Sequence, residues 1–286
     1  METITFDCRF ITPAFIGGGN PNGTPELRPP SIKGALRFWW RTMNGYLVGD
    51  NNSKPNYLNL LEAEEQIFGG ANVKQLRSPV RIKIKTEVPL YIKGSDLFKQ
   101  GRNEAGMSYL LYSVKHHRLD DVAFDAGTKF SVEFSSLGKD VDKLKKAVFS
   151  FWLVVYFGAL GTRSRRGMGS ISVEKVIGGD SIIPKNGIAF IPNEGVDMSD
   201  FLSSNFLKIK SEFSSKESMW NEYSQINLAE PAHLSEENFN NWPNALNSIG
   251  LNLMNIRTGK PNRDKRLRKF TMETLNKRPR LVYPCQ

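Results

Sequence analysis

The chain has 286 residues, a mass of 32.3 kDa, 40% hydrophobic and 24% charged residues, and a formal net charge of +10. That is room for two ordinary domains or one large one, with a globular composition and a charge that favours a polyanionic partner. The longest apolar run, Phe149 to Leu160, is too short to span a bilayer, no basic segment leads into an apolar one at the start, and Cys8 and Cys285 form neither a disulfide framework nor a zinc set. No membrane partner, metal or cofactor is expected, and the expected location is cytoplasmic.

Ile4 to Ile11 alternates apolar and polar residues and predicts a half-buried strand. A flexible approach, Gly17-Gly18-Gly19-Asn20-Pro21-Asn22-Gly23, then leads to a helix from Ser31 to about Tyr46. Pro29-Pro30 and Ser31 mark its start, with the Ser31 hydroxyl as the expected cap. Ile32, Leu36, Trp39, Trp40 and Met43 give it one apolar face. Beside that face Lys33, Arg37 and Arg41 form a cationic stripe, and no acidic residue occurs between Arg28 and Asp50. Lys33 sits in the first turn, where the helix dipole repels cations but free amides and a cation together suit a phosphate. The helix start reads as an anion site, with an ordinary solvated face as the plain alternative.

A second short helix is predicted over Tyr57 to Phe68, ended by Gly69-Gly70, then a strand over Val80 to Lys85, with Val88 to Ile92 pairing with it or continuing it. Lys93 to Asp125 has weak periodicity and reads as an insertion or long loop. Lys129 to Phe134 predicts a strand, Asp140 to Phe157 a helix, and Ile171 onward another strand. The order β-α-β-β-α-β is the ferredoxin-like pattern of an α+β fold, RRM-like in that one sheet face stays open to single-stranded RNA. Beyond Gly178-Gly179 the signals are a strand near Ile188 to Ile191, helices near Ser215 to Leu228 and Glu236 to Leu246, and a basic segment. Arg257 to Arg280 holds ten lysines and arginines against Asp264 and Glu273. Its interleaved Leu267, Phe270, Met272 and Leu275 favour a segment that folds, or folds on binding.

Between the second long helix and the last strand, Gly158, Gly161, Gly167 and Gly169 flank Arg163, Arg165 and Arg166. Clustered amides and arginines bind phosphate through charge-assisted bonds. The loop lacks Walker spacing, and its helix-to-strand order is the reverse of a Rossmann turn. A helix cap plus a β-bulge with solvated arginines is the plain alternative.

Leu27 to Arg41, with its Pro-Pro-Ser-Ile-Lys-Gly start and Phe-Trp-Trp-Arg ending, and Gly161-Thr162-Arg163-Ser164-Arg165-Arg166-Gly167-Met168-Gly169-Ser170 together resemble the RAMP superfamily of CRISPR proteins. Within it they are similar to the first subunits of Cmr, or type III-B, effector complexes. The resemblance covers about residues 1 to 178. It implies a ferredoxin-like RAMP domain over 1–178 and a second, degenerate ferredoxin-like domain over 179–286 that includes the basic region. It implies a non-catalytic RNA-binding subunit in antiviral defence, with the 3′ part of a guide crRNA, target RNA and other Cmr subunits as partners. The expected RNA contacts are Arg28, Lys33, Arg37, Trp40, Arg41, Gly161, Arg163, Arg165, Arg166 and Gly167, with one of Phe38, Trp39 and Trp40 stacking on a base. The alternative is a metal-independent endoribonuclease using His116-His117 or Glu26 to activate a ribose 2′-OH. A nucleotide-binding enzyme built on the arginine loop is a third reading, weakened by the lack of an acid cluster for Mg²⁺.

Overall fold

The computed structural model describes residues 2–19, 23–51, 54–71, 75–99, 104–136, 140–184, 187–213 and 239–258. In chain order they form β1 (Thr3–Phe10), α1 (Pro29–Met43), β2 (Gly49–Asn51), β3 (Lys54–Asn56), α2 (Leu58–Phe68), β4 (Val80–Thr86), β5 (Tyr91–Lys93) and α3 (Asp96–Lys99). They continue as α4 (Ala105–Leu110), α5 (Tyr112–His117), β6 (Val122–Phe124), β7 (Lys129–Ser136), α6 (Val141–Phe157), β8 (Ile171–Gly178), α7 (Met198–Phe213) and α8 (Trp242–Thr258).

Among the described residues, one compact unit takes 2–93 and 120–213, and a second takes 94–119 and 239–258. The first is built on an antiparallel sheet ordered β4-β7-β1-β8. With α1 and α6 as the two crossover helices, that is the second, third, first and fourth strand of the β-α-β-β-α-β motif, the ferredoxin-like arrangement. Alternation assigns the two sheet faces. Ile4, Phe6, Cys8 and Phe10 of β1 and Phe130, Val132 and Phe134 of β7 are buried under the helices, while Thr5, Asp7, Ser131 and Glu133 face away. Phe6 is fully buried, with its ring centroid 4.4 Å from Phe190, 5.1 Å from Phe151 and 5.9 Å from Phe134. Each such ring contributes about 1.5–3 kcal/mol through burial alone.

α6 is the central helix, buried without a break from Ala147 to Val155, with α1, α2 and α7 all packed on it. A helix apolar all round must be covered all round. Part of that cover is the segment expected as a strand near Ile188 to Ile191. It is not a strand, because its carbonyls are used by side chains: Trp152 Nε1 donates to Ala189 O at 2.8 Å and the Tyr156 hydroxyl to Phe190 O at 2.7 Å. Burial pushes the Tyr156 hydroxyl up to about 12.

Three further expectations change. α1 begins at Pro29, not Ser31, with Arg28 as its extended cap residue and no side-chain cap; proline at the first positions loses no hydrogen bond there. β5 pairs with β6, not with β4, so Val88 to Ile92 neither extends nor pairs with that strand. α7 went unpredicted, and the helix near the end runs from Trp242 to Thr258 rather than from Glu236 to Leu246. The helix expected at Ser215 to Leu228 and the basic region beyond residue 258 lie outside the described residues.

The second unit consists, among its described residues, of α3, α4, α5 and α8. Asn247 Oδ1 accepts the backbone N–H groups of Gly106 at 3.0 Å and Met107 at 3.3 Å, so a side chain on α8 caps the first turn of α4. The crossing is close enough that a Cβ on Gly106 would overlap the Asn247 carbonyl oxygen, and one on Gly250 the Gly106 carbonyl oxygen. No strand of a second ferredoxin-like domain falls among these residues. Nor is any described helix long and apolar enough to cross a membrane.

Candidate nucleic-acid interface

The cationic stripe of α1 does have an acidic partner, 23 residues beyond Arg41. Glu64 lies on the buried stripe of α2 with Leu60, Ile67 and Phe68 and has no exposed surface. Its Oε1 is 3.0 Å from Arg37 Nη1 and its Oε2 is 2.9 Å from Arg41 Nη1. Burial pushes the Glu64 carboxyl up, and the two guanidinium groups pull it back in part. Lys33 Nζ and Arg37 Nη2 each donate to Phe68 O at 3.2 Å, and Arg37 also bonds Gly69 O. Lys33, near the positive end of α1, and Arg37, in its middle, thus both sit on the negative end of α2, whose last carbonyls need donors. Burial, and Arg37 beside it, lower the Lys33 ammonium from its usual value. The anion site expected at the helix start is therefore corrected: Lys33 and Arg37 tie α1 to α2, and of the stripe only Arg41 is an exposed residue. Trp40 is corrected as well. It is 3% exposed, inside the core, and cannot reach a base.

What α1 turns outward is Gly34, Phe38 and Arg41, one above another at four- and three-residue spacing. A Cβ on Gly34 would meet nothing within 4 Å, so the helix backbone there is bare. Phe38 packs edge-on against Trp39 at 5.5 Å, and Trp39 against Phe157 at 6.3 Å. All three rings keep some exposure. They form a short aromatic row along the outside of α1 and the end of α6.

The arginine loop reaches this row. Arg165 places its guanidinium 5.1 Å from the centre of the Phe38 ring, close enough for a cation–π contact. The loop is held by the segment that follows β1. Thr162 N donates to Phe15 O at 2.8 Å, Gly169 N to Pro13 O at 2.9 Å, and Thr12 Oγ1 both donates to Gly167 O at 2.7 Å and accepts from Ser170 N at 2.9 Å. Gly161 and Gly169 are needed for this internal contact, since a Cβ on either would overlap Phe15 O or Leu160 O. Arg163, at φ 64°, is the one non-glycine residue with positive φ among the described residues, and Gly167 follows at φ 81°. Such backbone persists where its surroundings over-determine it. The bonds with Thr12, Pro13 and Phe15 do so here.

Arg28 lies 3.6 Å from Glu26, whose carboxylate also accepts Gly19 N–H at 3.4 Å. His116 and His117 end α5 in the second unit, exposed, with the His116 ring 4.3 Å from Tyr112. Sequence reasoning missed Glu64, Thr12 and Phe157. Glu64 was recoverable, because a carboxylate among leucines and isoleucines on a helix's apolar stripe signals a buried partner. Thr12 carried no local signal.

The sequence profile of the RAMP superfamily matches residues 7–172. The chain belongs to the RAMP superfamily. Among curated proteins it is 31% identical over 194 residues to CRISPR system Cmr subunit Cmr1-2 of Pyrococcus furiosus, covering 61% of this chain and 96% of that relative. It is 33% identical over 161 residues to Cmr1-1 of the same organism, covering 52% of this chain and 41% of that longer relative. Among solved structures, the apo crystal structure of Cmr1 from Pyrococcus furiosus aligns over all of this chain and 79% of its own, with a TM-score of 0.61 at 21% identity. A chain of the cryo-EM structure of the type III-B Cmr-beta complex bound to cognate target RNA and AMPPnP aligns over 95% of this chain and 79% of its own, at 0.55 and 16%. Both likenesses are of fold. The RAMP match runs from β1 into β8, so it contains the outward face of α1 and the whole arginine loop, whereas α7 and α8 fall beyond it.

Proposed function

We propose that the chain is a Cmr1-type subunit of a type III-B CRISPR effector complex, a cytoplasmic ribonucleoprotein. In this reading it holds single-stranded guide or target RNA against the arginine loop and the outer face of α1, and contributes no catalytic group. The observation that carries the reading is the contact of Arg165 with Phe38, which joins three loop arginines to a row of half-exposed rings and a stretch of bare helix backbone. Arginines hold phosphates, rings take unstacked bases, and bare backbone lets the strand come close. Arg28 and Arg41 flank the surface, while Gly161 and Gly167 shape the loop. The identity to Cmr1-2 of Pyrococcus furiosus supports the assembly part of the reading. The binding role is supported by the nuclease candidates' surroundings: Glu26 is engaged by Arg28 and Gly19, and His116 lies on Tyr112.

The test is the salt dependence of RNA binding. Single-stranded RNA gives a slope of log K against log salt of about −0.7 for each phosphate neutralised. Replacing Arg163, Arg165 and Arg166 together by glutamine is expected to reduce the magnitude of the slope by about 2 and to weaken binding of uridine-rich and mixed sequences alike. An unchanged slope in the folded variant removes the loop from the interface.

A further inference from the structure

A second group of cations lies at the other edge of the sheet. From Gln66 to Thr86 the sequence has no Asp or Glu and five cations, Lys74, Arg77, Arg81, Lys83 and Lys85. Lys74 is outside the described residues; the other four are exposed. β4 is an edge strand, paired to β7 on one side only. Its alternation sends Val80, Ile82 and Ile84 toward the core and Arg81, Lys83 and Lys85 onto the open face, at intervals of about 6.6 Å. Across the ladder they stand opposite Ser135, Glu133 and Ser131. Among the described residues none of the four forms an ion pair, whereas on the same sheet face Arg9 and Lys129 are both held by Glu174.

The chemistry of this row favours a phosphate backbone over a protein surface. Protein–protein interfaces are depleted in lysine at their cores and rely on aromatic anchors; the outward row of β4 offers only charges. Cations repeating along an extended strand match the repeating charge of an extended single strand. Asp7 and Glu133, on the inner strands, disfavour phosphate in the middle of the sheet and leave the edge as the cationic lane. The open face also lacks the aromatic rings with which RRM-type sheets stack bases.

We propose that β4 is a second RNA track, along which Arg81, Lys83 and Lys85, with Arg77 upstream, contact successive phosphates of a single strand without reading its bases. It lies three strand spacings, about 14 Å, from β8, the strand that follows the arginine loop.

The test replaces Arg81, Lys83 and Lys85 by glutamine in the full chain and measures affinity for a fluorescent oligouridine across a salt series. The magnitude of the slope is expected to fall by about 2, with the same loss for mixed sequences and an unchanged melting temperature. In parallel, RNA carrying 4-thiouridine is photocrosslinked to the wild-type chain, and crosslinks are expected within residues 77–86. A wild-type slope in the folded variant overturns the proposal. So does a wild-type slope together with loss of co-purifying Cmr subunits, which makes the row a protein docking face. If the variant fails to fold, the crosslink map decides, and its emptiness over 77–86 overturns the proposal. The variant of Arg163, Arg165 and Arg166 is scored separately: an effect there and none here sinks the β4 track alone, and the reverse sinks the loop site alone.

Discussion

Gly34 is the residue whose cost is easiest to see and which no contact inside the protein requires. In the middle of a helix glycine is worse than alanine by about 1 kcal/mol, and at Gly34 no neighbour within 4 Å would object to a methyl group. Gly158 differs. A Cβ there would fall 2.5 Å from Trp39 Nε1, so its bareness is explained by internal packing. Gly34→Ala is therefore expected to raise stability by up to about 1 kcal/mol, or about 2–4 °C in Tm, and, on the proposed interface, to weaken RNA binding by setting a methyl group beside Phe38 on the outer face of α1. Thermal melts and RNA titrations on the same preparation check both signs. A stabilised variant with full affinity would mean that nothing comes close to this stretch of helix. The sequence showed Gly34 plainly but not its surroundings, since an exposed helix glycine and a packed one look alike until the neighbours are known.

The α1–α2 pair shows the same limit for whole elements. α1, α6, β1, β4, β7 and β8 were legible because their apolar residues recur at one period, and what they bury is decided by that period. The role of the α1 cations was not, because Glu64 lies on another helix and no local spacing links it to Arg37 or Arg41. α7 was missed for a related reason: buried Asn205 interrupts its apolar stripe of Phe201, Leu202, Ile209 and Phe213, and only the structure shows Asn205 satisfied by Phe201 O and Ala189 N–H. β5 has three residues and carries no usable alternation. The ion pairs make a prediction with a definite sign. A carboxyl raised by burial binds its proton more tightly in the folded than in the unfolded state, so it favours folding at low pH and loses that contribution as pH rises through the folded value. Replacing Arg37 and Arg41 together by alanine removes both lowering influences on Glu64 and raises it further. Folding is expected to weaken by about 3–5 kcal/mol where the carboxylate must stay charged, and by clearly less at acidic pH, as the buried carboxyl takes up its proton. Urea unfolding of the double variant and the parent at acidic and mildly alkaline pH measures the difference. A deficit independent of pH would show that the arginines act through packing rather than charge.

Over the whole molecule, the division into two compact units was the least legible feature. Sequence reading expected a boundary near residue 178, but the described part of 179–213 packs with the first unit, and the 94–119 insertion joins α8 instead. Weak periodicity marked the insertion as different without saying what it would pack on, because its partner lies more than 100 residues away. Separate cores imply separable unfolding. Gly106→Ala, which forces a Cβ into the Asn247 carbonyl, is expected to release amide protection in α4 and α8 while α1, α6 and the sheet keep theirs, as read by hydrogen exchange. Uniform loss across both units would mean that they unfold as one. The neck of the insertion carries a consequence for how such a chain changes over time. Lys93 closes β5 directly opposite Val122, which opens β6, so the insertion leaves and returns across a single rung of a ladder. Adjacent exit and entry points make its length nearly irrelevant to the host, since closing a loop grows more costly only slowly as residues are added. A hairpin turn between those two residues would leave every strand of the first unit threaded as it is now. The insertion is thus a place where a lineage can add, exchange or discard a surface without touching the fold that carries the arginine loop.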